Sequence, residues 1–303
     1  MLKQISSLNL NSNTKIFENE SLKNHTTFGV GGRAKIFVIP QNSNDIVKLI
    51  EFSKDNKIEI SFMGSGSNII ASDNGFNGII ISLKKSFNKI FFSTNEINVE
   101  AGAMLNSMVK KAINKGYKGF ESLVGVPGTV GGAIIMNAGA HGSEISELFI
   151  SARTIDENGE IKFYKRKDIN FSYRDSSFPK SEILLDAKFK LIKGKQEKIN
   201  QKKKDVSIKR KTSQPLSYKS AGSIFKNPTN KLAAGYLIDK AGLKGLRIGD
   251  AEISQKHANF IINHGNAKSS DILNLIHIMK NKVKEKFDIK LELEVKIIGN
   301  ENE

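Results

Sequence analysis

The sequence predicts an α+β protein built of at least three mixed units, with glycine-rich loops in the first two. Three observations predict it. Segments of strand-like character and segments with apolar residues at helical spacing are interleaved along the chain. Glycine concentrates at 64–68 and, above all, at 119–142. The first cluster ends a strand but lacks Gly-x-Gly-x-x-Gly, and no long helix follows it, so it is not a dinucleotide-binding Rossmann turn.

Residues 34–39 read as a strand. Ile46, Leu49 and Ile50 then fall at helical spacing, with Val47 and Phe52 widening the face, which predicts a helix over 44–55 capped by Ser43 or Asn44. Residues 57–63 read as the next strand, so the three make a small β-α-β unit. Residues 75–78 (GFNG) read as a turn and 79–83 as a buried strand. Strands are predicted at 90–92 and 97–101, then a helix over 105–114 closed by Gly116. Strands at 149–155 and 161–163 flank Asp156-Glu157-Asn158-Gly159, a hairpin signal, and 183–192 alternates as another strand.

A polar, Lys-rich helix is predicted over 196–210, and Ser213-Gln214-Pro215 marks a boundary. Beyond it come a short helix over 233–241 closed by Gly242, a strand at 258–263, and a helix from Asp271 to about Lys286 capped by Ser269 or Ser270. That helix aligns Ile272, Leu275, Ile276, Met279 and Val283 on one face. A final strand is predicted at 289–298, whose alternation puts Glu292, Glu294 and Lys296 together.

Length and composition narrow the class. At 303 residues the chain can bury a full core in two or three domains, and 39% hydrophobic residues argue against disorder. No 18-residue apolar stretch predicts a membrane span, and the N-terminus lacks the apolar core of a signal peptide. The absence of Cys excludes disulfides and thiolate chemistry and fits a cytoplasmic location. The net charge of +16 invites a nucleic-acid reading. Only six of the 47 basic residues are Arg, however, and the Lys-rich stretch 188–211 carries no aromatic residue after Phe189, so a solvated surface is the expectation. His25, His141, His257, His264 and His277 lack metal-ligand spacing, so no metal is expected.

The glycine clusters carry the binding chemistry. Seven of the 24 residues of 119–142 are Gly, in an apolar run without Lys or Arg, so it is no flexible linker. Bare backbone N–H groups there suit a phosphate or a flat cofactor. Gly64, Ser65, Gly66, Ser67 and Asn68 add N–H donors and two hydroxyls at a strand end, which can hold a pyrophosphate without a cation. Three polar groupings could do chemistry. Arg174 lies in the knot 172–178, where its planar fork suits a carboxylate or a developing enolate. Ser223 and Asn227 lie in 220–228 beside Gly222, and Glu294 lies in the last strand, not distinguished from Glu292 by pattern.

These segments, in this order, resemble the UDP-N-acetylenolpyruvoylglucosamine reductase (UDP-N-acetylmuramate dehydrogenase) family. The matching runs are 24–32 (NHTTFGVGG), 64–68 (GSGSN), 126–132 (VPGTVGG), 137–140 (NAGA), 172–176 (SYRDS), 222–228 (GSIFKNP) and 257–260 (HANF), spread over nearly the whole chain. The resemblance implies a two-subdomain FAD-binding module of the vanillyl-alcohol-oxidase type over 1–84 and 85–212, with a C-terminal α+β substrate domain over 213–303. It implies a cytoplasmic enzyme of peptidoglycan precursor synthesis, with cofactors FAD and NADPH and a UDP-sugar enolpyruvyl ether as substrate, and no nucleic-acid or membrane partner.

By the resemblance, FAD contacts come from Gly64, Ser65, Gly66, Ser67, Asn68, Gly125, Pro127, Gly128, Thr129, Gly131, Gly132, Asn137 and Gly139. Ser223 maps to the proton donor, and Arg174 and Glu294 map to stabilisers of the enolate or orienters; Lys226 and Asn227 are candidate substrate contacts. The family usually has Pro before that glutamate and Arg two residues after it, where this chain has Leu293 and Lys296. Lys keeps the charge but not the bidentate geometry. The short segment 178–188 matches the subtype without the long insertion. Another FAD-dependent enzyme of the same fold, an alcohol or sugar oxidase, is the alternative expectation.

Overall fold

The computed structural model describes residues 2–140, 142–229 and 231–299, and its chain forms two compact units. The first comprises Met1–Glu18, Ile36–Ser65 and Gly78–Lys209; the second comprises Asn19–Lys35, Gly66–Asn77 and Arg210–Glu303. Residues 19–35 and 66–77 therefore group with the C-terminal part of the chain.

The two larger sheets are built mostly from residues of the first unit. A four-stranded sheet runs in the order Lys15–Ser21, Arg33–Ile39, Phe76–Ser82, Ile60–Met63. Its last two strands are parallel, with Ile60 opposite Ile79 and Met63 opposite Ser82. Helix Ser43–Asp55 supplies the β-α-β crossover and buries Ile46, Leu49, Ile50 and Phe52. Its N-cap is Asn42, one residue earlier than predicted: the Asn42 side chain accepts from the Asp45 amide at 2.9 Å. Strand Phe76–Ser82 begins inside the predicted turn, because the reversal comes earlier, over Ser72–Gly75, closed by the Gly75 amide on the Ser72 carbonyl at 3.0 Å.

The second sheet is antiparallel throughout, in the order Ile161–Lys165, Phe149–Ile155, Ile183–Lys190, Glu96–Glu100, Ile90–Phe92. The predicted hairpin is present, and Gly159 at φ 80° closes its turn. The core beneath it is aromatic: Phe149 meets Phe171, Phe178 and Phe189 edge to face. Helix Leu105–Asn114 has the predicted bounds and buries Leu105, Met108, Val109, Ala112 and Ile113. Helix Gln196–Ser213 is polar, burying only Ile199 and Val206.

In the second unit, helix Ser269–Phe287 buries the predicted stripe Ile272, Leu275, Ile276, Met279 and Val283. It packs with helix Ala234–Lys240 and with a three-stranded antiparallel sheet of Arg247–Ile248, Ala251–Ile253 and Ile261–Asn263. Two predicted strands are shorter than expected. Residues 258–260 form a turn, with the Phe260 amide on the His257 carbonyl at 2.9 Å, and only Ile261–Asn263 continues as strand. Of 289–298, only Lys296–Ile298 is strand, pairing in parallel with Ile69–Ala71. The predicted caps Ser269 and Ser270 instead form the first turn of the helix, and their amides are bound by Asp73.

Candidate functional site

In the first unit, strand Ile60–Met63 delivers Gly64 and Ser65 to the segment before helix Val130–Ile135. A Cβ on Gly64 would collide with the Thr129 hydroxyl, so glycine there is a condition of close approach. The Thr129 side chain is occupied locally, accepting from the Gly132 amide at 3.4 Å. The amides of Val130 and Gly131 donate to Ala103 and Ala101 at 2.8 Å each. Those two donors, part of the run expected to face a ligand, are thus spent within the protein. Gly125, Pro127 and Gly132 are exposed, and Gly128 and Thr129 are buried.

Asn137 is fully buried at φ 40°. Its amide nitrogen donates to Glu144 at 2.6 Å and to the Ser172 carbonyl at 2.8 Å. The second bond holds the hairpin Phe171–Ser176, in which Ser172 pairs with Asp175 and Arg174 sits at the tip at φ 57°. A further bond, Ser176 hydroxyl to Ile135 carbonyl at 2.8 Å, pins the other arm. The Arg174 guanidinium lies 4.9 Å from the Tyr173 ring centroid. Gly139 pairs with Glu144 across a short antiparallel bridge.

In the second unit, the rest of the first glycine cluster joins the C-terminal segments. Gly66 has φ 65°, and a Cβ there would fall on the His25 carbonyl. The Asn68 side chain donates to the Glu294 carbonyl at 2.9 Å, and the Lys296 amide donates to the Asn68 carbonyl at 2.9 Å. Ser223 is bridged to Phe260, and the Glu294 amide donates to the Ile224 carbonyl at 2.8 Å. The Lys226 amide donates to the Glu292 carbonyl at 2.9 Å, and its ammonium lies 3.9 Å from the Glu292 carboxylate. The Asn227 side-chain carbonyl accepts from the Ala234 amide at 3.1 Å, anchoring helix Ala234–Lys240. Ser223 and Glu294 therefore sit on neighbouring bonded segments of this unit; Arg174 belongs to the first unit. Burial separates the two glutamates that pattern left equal: Glu292 is exposed and Glu294 half-buried.

Sequence reasoning missed Asn259 and Asp73 as anchors. Asn259 is buried and binds both backbone groups of Phe225. Burial holds the neighbouring His257 below the usual histidine range, opposed by its own backbone hydrogen bond and aided by the charge of Lys244. The remaining described histidines have local partners: His25 with Glu20, His264 with Glu252 and His277 with Asn281. His141 lies outside the described residues. Among the described residues, no group of three or more His, Asp or Glu could hold a metal ion.

Whether the first unit fits FAD is tested by its orphaned polar atoms. The Ser65 hydroxyl and the Asn137 side-chain oxygen are buried without a hydrogen-bond partner. Buried polar atoms are rarely left so. A hydroxyl donor suits a pyrophosphate oxygen, and an amide oxygen acceptor suits a ring N–H, so this pair of atoms fits the cofactor.

Two families match the chain: "FAD binding domain" over residues 34–163 and "UDP-N-acetylenolpyruvoylglucosamine reductase, C-terminal domain" over 214–298. The chain is 41% identical to the UDP-N-acetylenolpyruvoylglucosamine reductase of Alkaliphilus oremlandii, over 93% of each chain. It is 44% identical to that of Caldicellulosiruptor bescii, over 95% of this chain and 92% of the other. The crystal structure of the corresponding reductase from Thermus caldophilus superimposes with a TM-score of 0.80 at 33% identity, covering 94% of this chain and 98% of the other.

Proposed function

The chain belongs to the UDP-N-acetylenolpyruvoylglucosamine reductase family of FAD-binding oxidoreductases, and from that premise we propose that it reduces UDP-N-acetylglucosamine enolpyruvate to UDP-N-acetylmuramate. The reductant is NADPH and the setting is cytoplasmic peptidoglycan precursor synthesis. Among the described residues, no helix is long and apolar enough to cross a membrane.

Gly64–Asn68 and the 125–139 segment would hold FAD, which when bound would supply a hydride drawn from NADPH. The chain's own residues manage the charge and proton that follow. Hydride addition to the enol-ether double bond leaves negative charge on the neighbouring carbon and its carboxylate. Arg174, a planar permanent cation, suits that enolate. The Ser223 hydroxyl donates the proton that completes the saturated ether. A serine hydroxyl is a weak acid, so the step needs Glu294 to orient it and a site that excludes water. Lys226 and Asn227 are the proposed substrate contacts from the same loop.

The observation that carries this reading is the bond between the Glu294 amide and the Ile224 carbonyl at 2.8 Å, which sets the glutamate beside the serine segment. The test is spectroscopic. The purified protein shows a flavin spectrum that NADPH bleaches anaerobically and the enolpyruvyl sugar restores. Ser223→Ala bleaches normally and recovers slower by about two orders of magnitude or more. Recovery with oxygen alone would instead identify an oxidase.

A further inference from the structure

The run 257–260 has no part in the chemistry above, yet it is built around the serine loop. Asn259 is 3% exposed. Its side-chain oxygen accepts from the Phe225 amide at 3.0 Å, its side-chain nitrogen donates to the Phe225 carbonyl at 2.8 Å, and its own carbonyl accepts from the Ile224 amide at 2.9 Å. On the opposite side, Ile224 and Lys226 bond to Glu294 and Glu292. Residues 223–226 thus form a segment held by isolated bridges, Ser223 to Phe260 and Phe225 to Leu293, and bonded both to Asn259 and to Glu292 and Glu294. Asn259 is itself fixed: its amide donates to His257 Nδ1 at 3.3 Å, and the His257 ring lies 4.7 Å from that of Phe260.

We propose that Asn259, oriented by His257, is a positioning residue for protonation, setting where Ser223 stands relative to Glu294. The inference rests on the assignment of Ser223 as proton donor. An amide satisfying both backbone groups of one residue permits a single register, whereas a lone backbone ladder tolerates slippage. Misplacement by about 1 Å costs on the order of a hundredfold in such a step.

The experiment compares the two half-reactions of FAD-loaded protein by rapid mixing. In Asn259→Asp, which keeps the acceptor and loses the donor, flavin reduction by NADPH stays within about twofold. Reoxidation by the enolpyruvyl sugar slows about tenfold to a hundredfold, with a larger solvent deuterium isotope effect and a little-changed saturation constant. Equal slowing of both half-reactions, or wild-type reoxidation, overturns the proposal. If Asn259→Asp does not retain flavin, His257→Phe carries the test with the same two readings, since it keeps the ring and removes the acceptor. Ser223→Ala runs alongside. Wild-type reoxidation there overturns the serine assignment and this inference with it; slow reoxidation there with normal Asn259→Asp overturns this inference alone.

Discussion

Asn68 and Glu294 are bonded to each other although 226 positions separate them in the chain. The Asn68 amide nitrogen donates to the Glu294 carbonyl, and two residues on, the Lys296 amide returns a bond to the Asn68 carbonyl, both at 2.9 Å. From there the two segments run on as parallel strands, Lys296 opposite Ile69 and Ile298 opposite Ala71. The tail of the first glycine cluster is therefore a splint for the last strand. A loop proposed to hold a cofactor also fixes the backbone of a residue proposed to act on substrate.

Asn68→Ala removes the side-chain half of this splint and leaves the backbone half. We expect a stability loss of about 1 kcal/mol, the usual net worth of one such bond, and a larger fall in turnover than in substrate affinity, because Glu294 keeps its place in sequence but loses a restraint. Urea melts and steady-state kinetics on the one variant check both. Turnover equal to the parent protein would mean the strand pairing alone suffices.

Asn137→Ala is the counterpart in the first unit. The substitution frees the Ser172 carbonyl and leaves the Glu144 carboxylate without its amide donor. Unpaired buried groups cost about 1 to 3 kcal/mol each. The Ser176 hydroxyl, bonded to the Ile135 carbonyl, still ties the Arg174 hairpin to helix Val130–Ile135. We expect turnover to fall through Arg174 and FAD affinity to weaken through loss of the orphaned oxygen. Titration of apoprotein with FAD, alongside kinetics at saturating FAD, separates the two; unchanged values in both assays would remove Asn137 from the site.

What was legible in the sequence follows from how local each signal is. The stripe from Ile272 to Val283 and the Asp156–Gly159 turn are set by neighbours a few residues away, and both appear as read. The caps were misplaced because the groups that bind the helix amides are not next to them: Asp73 caps a helix starting at Ser269. The strand predicted over 289–298 follows alternation that is present in the sequence, but residues 292–294 bond to the serine loop instead of joining a sheet. Burial, not pattern, separates Glu294 from Glu292, and long-range bonds to Phe225 underlie the role proposed for Asn259. No spacing rule within one segment carries that information.

Asp73 offers a test of the long-range cap through pH. Its two carboxylate oxygens accept from the Ser269 amide at 2.9 Å and from the Ser270 amide and hydroxyl at 3.0 Å each, while the Asp73 amide donates to the Ser269 hydroxyl at 2.7 Å. Burial pushes the Asp73 carboxyl up, but the hydrogen bonds from Ser270 and Ser269 outweigh it and hold the group below the usual carboxylate range. The positive end of the helix dipole acts in the same direction. A carboxyl depressed in the folded state stabilises it fully above the unfolded value, about 3.9, and that stabilisation is lost as pH falls through the folded value. Asp156, Asp250 and Asp288 are also held low and will add to the acid sensitivity of the protein. They are present in both parent and variant, so the difference between the two isolates Asp73. Asp73→Asn keeps one acceptor and loses the charge. We expect it to cost about 1 kcal/mol at pH 7, the scale of a lost helix cap, and the gap to the parent protein to close progressively below about pH 4. Urea melts of both proteins from pH 7 to pH 3 measure it. A gap that stays constant across that range would show that the charge of Asp73 contributes nothing and that its hydrogen bonds alone hold the helix end.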